Sequence, residues 1–109
     1  MGYTIENWTI EEETGYKPIT TFYTDFSIAE KSGLDAIKDT YKSAFNEWKG
    51  NYKYITELVM ALNWKGWRWY NAKRYDLADV YFDLYREAAE WCENNLKGEE
   101  LDYYYTITD

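Results

Sequence analysis

Hydrophobic and polar positions alternate in two different ways along the chain, and the change falls near residue 20. Before it, Tyr3-Thr4-Ile5 and Trp8-Thr9-Ile10 are β-prone, and Glu11, Glu12, Glu13, Thr14 and Gly15 predict a turn or open loop. Pro18 disfavours helix just before it. From Thr21 onward a helical period takes over, with Phe22, Phe26 and Ala29 at i, i+4 and i+7 and a stop at Ser32-Gly33. A second helix is predicted over 34–49, placing Ile37, Tyr41, Ala44, Phe45 and Trp48 on one face. Gly50 ends it, and Asn51 is suited to cap the next helix.

The third helix, about 52–70, carries Ile55, Leu58, Val59, Leu62 and Trp69 on its main apolar side, with Met60, Trp64 and Trp67 elsewhere. A helix apolar on more than one side belongs in the middle of a bundle. A turn over 71–75 leads into a fourth helix, about 76–96, with Asp76 placed as its cap and Gly98 beyond its end. Its core stripe is Leu77, Val80, Tyr81, Leu84, Ala88 and Trp91. Leu101, Tyr103, Tyr105 and Ile107 alternate, so the tail reads as a short strand able to pair with the β-prone start. The expected fold is mainly α: one domain over 1–109, a compact bundle of about four helices over 21–98. It has an irregular β-prone segment over 1–20 and an acidic, aromatic, strand-like tail over 99–109.

Charge sharpens the picture. The formal net charge is −8, and it is uneven: residues 1–30 carry −5, residues 99–109 carry −4, and the stretch between is close to neutral. Within that neutral stretch Asp76, Asp79, Asp83, Glu87, Glu90 and Glu93 recur every three or four residues, nearly opposite the core stripe of the fourth helix. On a helix this spacing sets carboxylates roughly 4.5–6 Å apart along one face. Such a row is an ordinary solvated face, or it is a surface for a basic partner. Like charges at these spacings oppose the helix by a few tenths of a kcal/mol each, and among residues 76–96 only Arg86 interrupts them. That self-repulsion, together with the acidic ends, raises the partner-binding reading above the background for a charge run without displacing the solvated-face reading. Strong acidity opposes direct contact with a nucleic-acid backbone or an anionic membrane. Aromatics at 21%, with thirteen Tyr and six Trp, suit both a core and a contact surface.

Catalytic chemistry finds little to use. The chain has no His and one Cys, Cys92, so neither a transition-metal site nor an internal disulfide is expected. Cys92 reads as a small buried apolar residue, and one unpaired cysteine fits a reducing, cytoplasmic setting. There is no Gly-rich phosphate loop and no nucleophile elbow. Glu11, Glu12 and Glu13 lack the spaced ligands and glycine of a calcium loop. The chain is read as non-enzymatic and without cofactor.

Lys65, Arg68, Lys73 and Arg74, interleaved with Trp64 and Trp67, gather near the end of the third helix. They resemble a nucleic-acid platform in outline, but cations there also complement the helix dipole. Gly66, Trp69, Tyr75, Ala78 and Phe82 follow the spacing of one tetratricopeptide-type hairpin; unrepeated, they indicate an antiparallel helix pair and nothing more.

Several stretches carry a resemblance: Thr21 to Glu30 (TFYTDFSIAE), Asp39 to Lys49 (DTYKSAFNEWK), Asn51 to Met60 (NYKYITELVM), and the ending from Asn95-Leu96-Lys97-Gly98 through Thr108-Asp109. Together they resemble a family of small acidic proteins encoded on conjugative elements, plasmids and phages of gut bacteria. The resemblance covers most of residues 20–109 and supplies no catalytic residues. It implies an anti-defence context, that of anti-CRISPR and DNA-imitating antirestriction proteins, with a type II RNA-guided nuclease as target. The expected contacts are Asp76, Asp79, Asp83, Glu87, Glu90 and Glu93 on a basic nuclease surface. Glu11, Glu12, Glu13, Glu99, Glu100, Asp102, Trp64 and Trp67 are secondary contacts. The alternative is a helical adaptor or accessory protein that binds through its aromatic surface.

Overall fold

Five helices account for nearly all of residues 18–108, the part of the chain that the computed structural model describes. They are α1 (Pro18–Glu30), α2 (Leu34–Trp48), α3 (Tyr52–Asn71), α4 (Tyr75–Asn95) and α5 (Glu99–Thr108). The mainly helical expectation holds, with one helix more than the four expected and no strand among the described residues. The β-prone start, including Glu11, Glu12 and Glu13, lies outside the described residues.

The fifth helix replaces the strand expected of the tail. Alternation of Leu101, Tyr103, Tyr105 and Ile107 fails because the buried residue is Tyr104, 3% exposed, while Tyr105 is 41% exposed. Leu101, Tyr104 and Ile107 are spaced by three and line the core side. Glu99, Glu100 and Asp102 occupy the first turn, where carboxylates complement the unpaired N–H groups and the dipole. The acidity of the tail thus has a local, structural use.

α1 starts earlier than its apolar stripe implies, at Pro18, a residue suited to the first helical position. The turn after it closes with the Gly33 N–H donating to Ala29 O at 3.2 Å. Gly33 has φ +114°, a conformation that residues with a Cβ rarely adopt. Asn51 caps α3 as expected: its side-chain oxygen accepts from Lys53 N at 3.1 Å and Tyr54 N at 3.2 Å. Asp76 does not cap α4. The N-cap is Arg74, and Asp76 sits inside the first turn.

α3 touches all four other helices. It buries Ile55, Leu58, Val59, Ala61 and Leu62 completely, which fits its place at the centre. α3 and α4 fold back on each other across the short turn at 72–74 and share the most extensive packing in the chain. At about 1.5 Å per residue the 21 residues of α4 span roughly 31 Å, most of the 36 Å long dimension of the molecule.

Candidate partner-binding surface

α4 is divided lengthwise by its own sequence. Leu77, Ala78, Tyr81, Ala88 and Cys92 are buried against the core. Asp76, Asp79, Asp83, Glu87, Glu90 and Glu93 are all exposed. The core side of α4 is clamped to α3, so the carboxylates project from a backbone held along its length. Two of the six are matched by neighbouring arginines. Asp76 accepts from Arg74 Nε and Nη2, both at 3.2 Å, and Asp83 pairs with Arg86. The Arg74 guanidinium, helped by the Leu77 backbone N–H, holds the Asp76 carboxyl below the usual range. Both pairs are solvent-exposed and add little to stability. Asp79, Glu87, Glu90 and Glu93 form no ion pair among the described residues. The row is therefore partly neutralised, at Asp76 beside the α3–α4 turn and at Asp83 further along the helix, and four of its six carboxylates are without an ion pair among the described residues.

The secondary contacts do not converge on this face. Glu99, Glu100 and Asp102 are exposed on the first turn of α5. Trp64 is half-buried against the core. Trp67 is 50% exposed and belongs to an aromatic patch across the α3–α4 hairpin. Its ring centroid lies 5.4 Å from that of Tyr70 and 5.2 Å from that of Phe82, and Tyr70 lies 5.4 Å from Tyr75. Phe82 reaches this position because Gly66 on α3 has no side chain: a Cβ there would stand 2.5 Å from the ring.

The basic cluster disperses. Arg68 lies over the Trp69 ring at 5.6 Å, and Arg74 is held by Asp76. Lys65, 1% exposed, points into the protein. Its Nζ donates to Ser27 Oγ at 2.6 Å, pairs with Glu30 Oε2 at 3.1 Å, and sits 4.1 Å from the Tyr23 ring centre. The same Glu30 oxygen accepts from Tyr81 Oη at 2.6 Å and Trp69 Nε1 at 2.8 Å. One carboxylate thereby ties α1 to α3 and α4. Burial lowers the Lys65 pKa while Glu30 raises it, and burial beside Glu30 pushes the Tyr81 hydroxyl well above its ordinary value. An amine this enclosed and this fully bonded is a structural clamp, not a nucleophile waiting for substrate.

Cys92 and Glu57 are buried as well. Cys92 is fully buried as expected, and burial, with Glu93 nearby, pushes its thiol up to about 12, which makes it inert. Glu57 is fully buried, and neither carboxylate oxygen has a hydrogen-bond partner of ordinary geometry. Burial pushes its pKa up to about 8 against the opposing influence of the Ile19 backbone N–H and Lys53, so the group is largely protonated near neutrality. Among the described residues no group of acids and Cys is arranged to hold a metal ion, and no helix is long and apolar enough to cross a membrane. No protein-family model matches the chain, and no curated protein or solved structure matches it either.

Proposed function

We propose that this chain is a cytoplasmic anti-defence protein of a mobile element, an anti-CRISPR inhibitor that covers the basic nucleic-acid-binding surface of a type II RNA-guided nuclease. Such nucleases hold nucleic acid in cationic channels and read a short flanking motif with arginines. The observation that supports this reading is the row of Asp79, Glu87, Glu90 and Glu93 on α4, exposed, without ion pairs among the described residues, and mounted on the most tightly packed hairpin of the fold. Glu87, Glu90 and Glu93 follow one another at about 4.5 Å along the axis, near phosphate spacing, and oppose arginines and lysines directly, with Asp79 about 12 Å away toward the start of the helix. The inhibitor carries no catalytic step; occupancy alone excludes the nucleic acid.

The test is a cleavage assay with the guide-loaded nuclease, beside a pulldown at low and high salt. Asp79→Lys, Glu90→Lys and Glu93→Lys combined should remove inhibition while leaving the helical circular-dichroism signal intact. Binding of the unaltered chain should weaken by about tenfold or more as salt screens the contact. Inhibition that survives triple reversal rules out α4 as the contact.

A second reading has its own support in the exposed patch of Trp67, Tyr70 and Tyr75, with the half-buried Phe82 beneath Trp67. A helical adaptor or accessory protein would use such a patch as an aromatic anchor. Its binding would change little with salt and would be lost on Trp67→Ala.

A further inference from the structure

Between α2 and α4, on the flank of the acidic row, lies an open cavity of about 310 Å³. This is at the small end of ligand-binding sites and suited to a single side chain. Its walls are aromatic: the Phe45 and Trp91 rings meet edge to face at 5.2 Å, and Tyr41 lies 5.8 Å from Phe45. Its acidic members are Glu87 and Glu90, with Asn94 beside them, and among the described residues no lysine or arginine lines it. Both glutamates are exposed and form no ion pair among the described residues.

Behind this wall lies one buried polar atom. Tyr41 is 2% exposed, and its buried Oη faces the Glu87 carboxylate, the acceptor within its reach, in a geometry short of a well-formed hydrogen bond. A buried hydroxyl needs a well-placed acceptor, and this one, on a lining residue, depends on where Glu87 is held. The nearest indication of what suits the rings is the chain's own Lys49, whose Nζ stands 5.9 Å from the Phe45 ring centre.

We infer that the cavity receives the guanidinium of an arginine presented by a partner protein. A planar cation stacks on Trp91 or Phe45, and its N–H groups donate to the Glu87 and Glu90 carboxylates, with the buried Tyr41 hydroxyl behind Glu87. The tyrosine hydroxyl donates to Glu87 from behind and helps to hold that carboxylate for the guanidinium. Arginine fits better than lysine because it is flat, weakly hydrated and has five donors in a fixed fork. The inference rests on the reading of α4 as a surface for a basic partner. Its test contains no nuclease, so failure here is distinct from failure of the inhibition experiment.

The experiment follows the tryptophan indole N–H cross-peaks of the full chain during titration with N-acetyl-arginine amide, N-acetyl-lysine amide and the uncharged N-acetyl-citrulline amide. Arginine should give a saturable shift of the Trp91 indole, lysine a weaker one, and citrulline none. Glu87→Gln with Glu90→Gln should abolish the Trp91 response while the rest of the spectrum is retained, and Tyr41→Phe should weaken it several-fold. Three results would each overturn the assignment: citrulline or lysine matching arginine, the six indoles shifting together, or no Trp91 response by roughly 50 mM, well beyond millimolar affinity.

Discussion

Phe82 lies so close to Gly66 that a Cβ built on the glycine would stand 2.5 Å from the ring's Cε1 and 2.7 Å from its Cδ1. The absence of a side chain in the middle of α3 is what lets α4 approach there and seats Phe82 under Trp67.

Gly66→Ala should therefore lower stability, although alanine inside a helix ordinarily gains up to about 1 kcal/mol over glycine. Overpacking costs about 1–3 kcal/mol and outweighs that gain. The midpoint of urea unfolding should fall. In a Phe82→Ala background the obstacle is gone, and Gly66→Ala should raise the midpoint instead. A rise in both backgrounds would mean that the ring yields at no cost.

Removing Glu30 should do more harm than removing Lys65. Glu30→Ala leaves a buried ammonium, the Tyr81 hydroxyl and the Trp69 indole N–H without their acceptor, at a cost of roughly 3–5 kcal/mol. Lys65→Met supplies an apolar chain of similar reach and leaves Glu30 with two donors, so about 1–2 kcal/mol is expected. Combining the two changes should recover part of the Glu30→Ala loss. Chemical denaturation of the three variants checks the order.

Glu57 makes stability depend on pH in the direction opposite to a salt-bridged carboxylate. Its folded pKa, about 8, lies above its ordinary 4.5, so the folded chain keeps a proton that the unfolded chain releases. The contribution is fully present below about pH 4.5 and is lost as pH rises through about 8, after which the curve flattens. The gap corresponds to roughly 5 kcal/mol at its limit, at 1.36 kcal/mol for each tenfold change. Glu57→Gln should flatten the slope between pH 5 and 8. An unchanged slope would assign the pH dependence to other groups.

The helices of the described core were legible because their apolar residues keep a 3.6 period, and Asn51 announced the start of α3. The tail was misread because tyrosine stands at 103, 104 and 105, so alternation and helical spacing are both satisfied until burial singles out Tyr104. The acidic row was placed correctly on one exposed face, but Arg74, just before the helix, was not seen as the partner of Asp76. The Glu30–Lys65 clamp joins residues far apart in the chain, and no local pattern pairs them. A signal was nonetheless present. Lys65 completes the series Ile55, Leu58, Leu62, and Glu30 completes Phe22, Phe26, so both charges fall on core stripes. Weighing Lys65 with its cationic neighbours near the turn concealed that register.

The close fit of α4 against α3 also limits what its outer side chains can do. A helix fastened along one side cannot bend to follow another contour, so the intervals between the backbone positions that carry its carboxylates are set before any encounter. Whatever molecule reads them must bring matching intervals of its own. Discrimination among cationic surfaces then lies in their geometry as much as in their total charge.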